Sequence, residues 1–253
     1  MHRTLNKLPL PDLYELLKEQ FGAQHWWPGQ SQDEIVIGAI LTQSVAWRNV
    51  ELALANLKNA GIVTLKDIYH TPAEIIAPLI KPTLYYNQKA RKLKNFARFF
   101  VEAAQGDYQY LFSLPLEQLR ARMLQINGLG QETVDSILLY AGKLPVFVCD
   151  AYTNRLLVRL GYADKDRDYA FWQSLISSSL PRDTELYNDF HAQIVMLCKH
   201  ICKPKPLCDL CPLRFVCPVG IKAVNSGSRC CNLLLTSRQD KEKIGFSNEN
   251  GWR

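Results

Sequence analysis

Apolar residues recur three and four positions apart along almost the whole chain, and that periodicity admits helices and little else. Trp47, Val50, Leu54 and Leu57 follow it, with Gly61 as the natural stop. Ser31-Gln32-Asp33-Glu34 has the form of a capping box opening a helix to about Leu41, because the serine oxygen and the glutamate three residues on can satisfy free amides. Thr71-Pro72-Ala73-Glu74 starts another helix, with proline at its first position. From 87 to 104, Leu93, Phe96 and Phe100 share one side while Lys89, Lys92 and Arg98 lie elsewhere, so this helix is amphipathic and basic. Further helices are expected at 115–125, 131–141, 151–160, 169–179 and 187–201, and only Val146-Phe147-Val148 reads as extended. The expected class is all-α. After Gly220 the pattern lapses into polar sequence, read as a mobile tail over 221–253.

At 253 residues the chain can bury a sizeable core, in one large or two intermingled domains. With 47% hydrophobic residues and ordinary Gly and Pro counts, collagen-like, low-complexity and disordered classes are excluded. The longest uncharged run has 13 residues, short of the roughly 20 that cross a bilayer, and the first residues lack the apolar core of an export signal. The expectation is a protein without membrane contact, cytoplasmic, and nucleoid-associated if bacterial. A net charge of +6 suits a polyanionic partner without requiring one.

Four of the eight cysteines, Cys202, Cys208, Cys211 and Cys217, are packed into one Pro-rich stretch behind a helix. Without an export signal, a metal site outranks a disulfide framework. Four thiolates suit a 4Fe-4S cluster or a structural zinc. Zinc ribbons use two well-separated Cys-x2-Cys knuckles, whereas here one pair is flanked at five residues on each side, which favours iron-sulfur. Cys198 remains an alternative to Cys202 as first ligand. Cys149, Cys230 and Cys231 read as a buried residue and tail thiols.

The segment from Leu124 to Thr133 joins two helices through Gly128-Leu129-Gly130. Glycines there allow positive φ and close backbone approach, so turn amides and the start of the next helix can form a nest for a phosphate oxygen. Such a nest grips a backbone and does not read bases. An ordinary helix-helix turn has the same composition. Further on, Asp150 stands at the start of a helix, where it is a good cap. A carboxylate at the mouth of a cleft can also oppose a developing sugar cation or activate a water.

Taken together, Trp26-Trp27-Pro28, Ile40-Leu41-Thr42-Gln43 leading to Trp47, Tyr86-Asn87-Gln88-Lys89-Ala90, the hairpin, the Asp150 segment and the cysteine set resemble, in order over about residues 26–218, the endonuclease III superfamily of DNA glycosylases. That family is named for a helix-hairpin-helix followed by a Gly/Pro-rich loop and an aspartate. The resemblance implies a two-domain fold, with a six-helix barrel over 31–143 and a cluster domain from 1–30 and 144–220, and DNA bound across the cleft between them. It implies Asp150 as the catalytic carboxylate and Gln43 as the residue that fills the gap left by an extruded base. One 4Fe-4S cluster per chain would be held by the four cysteines. The implied partner is double-stranded DNA containing a damaged base, bound by a monomer. Gln43, Gly128, Leu129, Gly130, Lys89 and Arg155 are the expected DNA contacts, with Arg91, Lys92 and Lys94 beside them. Trp26, Trp47, Glu132 and Tyr152 are candidates for the substrate pocket. Gln43 as a polar helix end, the lysines as a solvated face and the aromatics as core stay open as plainer readings.

One departure bears on the chemistry. Bifunctional relatives carry a lysine in the second hairpin helix that attacks the sugar and forms a Schiff base; here the position holds Glu132. A carboxylate forms no imine, so water becomes the expected nucleophile. This places the chain with the endonuclease III-related branch that includes 3-methyladenine glycosylases, where Trp26, Trp27, Trp47, Tyr85 and Tyr86 could stack on a cationic purine. Two rivals stand beside this: a bifunctional glycosylase/lyase using another amine, and a non-catalytic iron-sulfur DNA-binding protein.

Overall fold

The computed structural model describes residues 7–225 except 25 and 28. They are all-helical, with no strand among the described residues. Two compact units form: residues up to Trp26 with those from Phe147 onward, and Trp27–Val146 between them in sequence. The middle unit is thus a few residues longer at each end than the 31–143 read from the sequence.

α1 (Leu10–Phe21) belongs to the first unit and was not among the expected helices. Its Leu10, Leu13, Tyr14 and Leu17 are buried at helical spacing and form the stripe that packs on the C-terminal half of the chain.

The middle unit holds α2 (Gln32–Leu41), α3 (Trp47–Asn59), α4 (Leu65–His70), α5 (Ala73–Leu79), α6 (Tyr86–Ala104), α7 (Tyr108–Ser113), α8 (Leu116–Leu124) and α9 (Gln131–Ser136). The last continues as a π-helical turn over Ile137–Ala141. Every residue of α2 from Val36 to Leu41 is buried, which makes it a core helix rather than an amphipathic one. α6 packs on α4 and α5 through Leu93, Phe96, Ala97 and Phe100. Ser31 caps α2 by accepting from Glu34 N, but Glu34 Oε2 takes the amide of Gln30, so the expected box is only half closed. A complete box occurs at Thr64 and Asp67 instead. Pro72 is the cap of α5 rather than its first helical residue, with ψ of 144°.

The chain then returns to the first unit with α10 (Ala151–Arg159), α11 (Tyr169–Ser179), α12 (Thr184–His200) and α13 (Pro218–Asn225). α12 is its axis: Phe190, His191, Ile194, Leu197 and Cys198 are buried, against α1 on one side and α10 on another. Phe147, Tyr187 and Phe190 pack edge-on or tilted at 5.4 and 5.7 Å. Val146–Val148, expected as extended, is buried, irregular and forms no ladder. Residues 221–225 continue α13, so the expected tail does not begin at 221; Cys230, Cys231 and the rest of that segment lie outside the described residues. No helix among the described residues is long and apolar enough to cross a membrane.

Candidate active site and metal loop

Asp150 caps α10, and its Oδ1 accepts from Thr153 N at 2.8 Å and Thr153 Oγ1 at 3.1 Å. Oδ2 lies 3.7 Å from Nε2 of His191, a residue of α12 that the sequence reading did not single out. The carboxylate is only 15% exposed. Burial works to raise its pKa, but the His191 imidazole facing it and the two Thr153 hydrogen bonds outweigh it and hold the group below the usual carboxylate range. Asp150 is therefore a half-buried, ionised acceptor. Tyr152, half-buried on the same helix, has its phenol pKa raised by burial and by the Asp150 charge, and Arg155 lies 5.1 Å over its ring.

In the middle unit Gly128 has φ of +95°, the left-handed region that favours glycine, and a Cβ there would come within 2.5 Å of Lys92 Cγ. Gly130 is the extended cap of α9. Leu129 is 7% exposed, and its amide, expected to point outward, donates to Ile126 O at 3.1 Å. Gln43 reaches the hairpin, donating from Nε2 to Thr133 Oγ1 at 2.9 Å and to Gly128 O at 3.5 Å, and Lys92 Nζ donates to its Oε1. Glu132 is exposed in the first turn of α9, where a negative charge favours the helix dipole.

The basic helix corrects another expectation. Lys89 is 2% exposed, and its Nζ donates to Leu41 O at 2.8 Å and Thr83 O at 2.5 Å, so it holds two carbonyls at element ends and is not placed to meet a phosphate. Burial, with the nearby charge of Lys92, lowers its pKa to about 8. Lys94 likewise donates to the carbonyls of Ile68, Tyr69 and Thr71 at the end of α4. The stems pack on the core and the ammonium groups offset unpaired helix-end carbonyls. Arg91 remains exposed.

In the first unit Cys202, Cys208, Cys211 and Cys217 line one small cavity, with Arg159, Pro206 and Leu207. Cys198 is not in its lining; its thiol points to Tyr152 O at 3.6 Å. α10 grips the loop through two arginines. Arg155 donates to Cys202 O and Cys198 O, at 2.9 and 3.1 Å, so it too is committed to carbonyls rather than to an open face. Arg159 donates to Cys202 O, Lys203 O and Pro204 O and to Cys202 Sγ at 3.2 Å. The neighbouring Cys198 thiol and the Arg159 contact, against the pull of burial, hold the Cys202 thiol below its usual pKa, while burial pushes Cys211 up to about 12. Among the described residues no three His, Cys, Asp or Glu side chains converge closely enough for a single ion. Four thiols lining one cavity are the donor set that a thiolate-bound metal group takes.

The aromatics divide between the units. Trp26 lines a cavity with Tyr14, Lys18, Asp183 and Asp189. Trp27 packs edge-on against Trp47 at 5.1 Å and also meets Tyr140 at 4.8 Å. The Trp47 indole N–H donates to Glu51 Oε1 at 3.1 Å.

A helical unit carrying a glycine hairpin, and another carrying a half-buried ionised aspartate and a four-thiol loop, define a recognisable class. Residues 37–181 match the HhH-GPD superfamily of base excision DNA repair proteins. A DNA repair glycosylase candidate of Methanocaldococcus jannaschii is 41% identical over 207 residues, covering 81% of this chain and 94% of its own. The chain belongs to this superfamily of base-excision repair DNA glycosylases. Among solved structures, the 3-methyladenine DNA glycosylase of H. pylori bound to 1,N6-ethenoadenine is similar at a TM-score of 0.68 and 27% identity, covering 76% of this chain and 98% of that one. An endonuclease III–DNA complex gives a TM-score of 0.74 at 20% identity, over 85% and 97% of the two chains, a likeness of fold.

Proposed function

We propose that this glycosylase is monofunctional, that it removes damaged bases from double-stranded DNA by hydrolysis, and that alkylated purines are its substrates. The observation that carries the reading is an ionised Asp150 in a chain that has a carboxylate, Glu132, at the sequence position where bifunctional relatives place their amine. As the bond between the sugar carbon and the base nitrogen breaks, its electron pair leaves with the base and the sugar becomes oxocarbenium-like. Asp150 opposes that charge and accepts a proton from the attacking water, so free base and an abasic site are the products. The damaged nucleotide must first leave the stack. Gln43 fills the gap, and Gly128 and Gly130 let a strand backbone approach the hairpin. Trp26, Trp47, Glu132 and Tyr152 remain the pocket candidates, with Trp27 added through its contact with Trp47. Likeness to a 3-methyladenine glycosylase holding an etheno-purine supports the purine preference.

Cys202, Cys208, Cys211 and Cys217 would hold one 4Fe-4S cluster, whose part is to close the loop beneath α10 rather than to react. Release of free base from a panel of lesion-bearing duplexes, with Asp150→Asn as control, tests the function. Borohydride trapping on abasic DNA tests the monofunctional reading: a covalent adduct abolished by substituting one lysine would overturn it.

A further inference from the structure

Lys92 and Gln43 are joined in a way neither a phosphate contact nor a gap-filling residue requires. The Lys92 stem lies across Gly128, and its ammonium donates to Gln43 Oε1, while Gln43 Nε2 is bound to Thr133 Oγ1. Both ends of the amide are held by protein, although an amide that fills a vacated stack must offer those ends to DNA. The next residue, Ser44, sits at φ of +56°, an uncommon backbone state for a serine that its surroundings must hold. The two bonds differ in kind. The Thr133 bond is neutral to neutral, whereas Lys92 gives a charged donor to a neutral amide oxygen, and a phosphate oxygen is the stronger acceptor for an ammonium.

We propose that Lys92 is a phosphate-binding residue parked on Gln43 in the free protein: DNA reaching the hairpin takes the ammonium and thereby unlatches Gln43. The proposal rests on the reading of Gln43 as gap filler. Lys89, one turn earlier on α6, is the fixed counterpart. Its ammonium is buried between Leu41 O and Thr83 O, so the stem of the Gln43 loop stays in place while the side chain is exchanged. Gln43 is released only where phosphates lie against the hairpin.

The test uses the full chain and a duplex containing a tetrahydrofuran abasic analogue with 2-aminopurine opposite it, whose fluorescence reports gap filling. Binding is followed across a salt series for wild type, Lys92→Met, Lys92→Arg, Thr133→Val and Gln43→Ala. Methionine keeps the stem over Gly128. Lys92→Met is expected to lower the slope of log K against log salt by about 0.9, the amount for one phosphate contact, and Lys92→Arg to restore it. Thr133→Val should leave the slope unchanged. Lys92→Met should shift the 2-aminopurine signal in the wild-type background and leave it unmoved in a Gln43→Ala background. An unchanged slope in Lys92→Met overturns the phosphate contact, and signal changes that add independently of Gln43 overturn the latch. A Gln43→Ala signal identical to wild type sinks the gap-filling reading itself, which the slope separates from the role of Lys92.

Discussion

Asp150 Oδ2 and His191 Nε2 face each other at 3.7 Å, joining the N-cap of α10 to the middle of α12 within one unit. The contact explains how a carboxylate with 15% exposure keeps its charge, since burial alone would favour the neutral acid.

Asp150→Asn should lower base release by about 10²–10³-fold, the cost of removing one electrostatic stabiliser from an active site. Asparagine caps helices about as well as aspartate, so stability should fall by less than about 1 kcal/mol. Activity lost in step with the melting temperature would instead make Asp150 a structural cap alone.

The pH dependence follows from the direction of the Asp150 shift. Its folded-state pKa lies below the ordinary 3.8, so its contribution to stability is complete above that value and is lost as pH falls through the lower, folded one. His191→Asn removes the largest stabilising partner and should move the acid limb of the base-release profile to higher pH, with the neutral plateau less affected. A limb that stays where it is contradicts the role given to His191.

Lys89 works with the opposite sign. Its ammonium is disfavoured in the folded state down to a pKa of about 8 against 10.5 in the open, so the unfolded chain binds the extra proton between those values. Wild-type stability should therefore rise relative to Lys89→Met as pH goes from about 8 to 10.5. Near pH 7 the substitution, which strips two buried carbonyls of their partner, should cost about 1–3 kcal/mol. Denaturant midpoints at pH 7, 8.5 and 10 check both statements.

Arg120 and Asp135 tie α8 to α9 behind the hairpin, with Nε–Oδ1 at 2.7 Å and the aspartate fully buried. Asp135→Asn leaves a guanidinium without its carboxylate and should destabilise by about 3 kcal/mol, as breaking buried pairs does. Thermal unfolding measures it, and a loss below 1 kcal/mol would mean that water readily replaces the pair.

For the cysteine loop, protein purified without oxygen should carry about four irons per chain and lose them in Cys208→Ser or Cys217→Ser. Cys198→Ser should retain iron, since that thiol is directed to Tyr152 O. Stoichiometric zinc in place of iron would reject the cluster.

Helices with long amphipathic or capped signals, such as 86–104 and 169–179, were legible in the sequence because their periodicity is local. α4 and α7, each of six residues, were not, because two turns carry too few positions to establish a period. α1 was missed behind a proline-rich start. The site divides in the same way. Asp150 and the four cysteines were visible through motif and spacing, whereas His191 looks like any apolar-face residue of α12 until α10 is packed against it. The lysines of α6 show the reverse error: their charge suggested contacts to a DNA backbone or a solvated face, and long stems let two of the ammonium groups turn back onto carbonyls.

What the residues determined unaided is what rests on neighbours along the chain: helical class, the glycine hairpin, the cap at Asp150, the thiol set and the missing lysine at 132. Tertiary structure alone decided which charges are used inside. His191 meets Asp150, Lys89 holds Leu41 and Thr83, and Lys92 holds Gln43, through partners far apart in sequence. Hydrogen bonds and buried charges depend on distance in space, and only packing sets that distance.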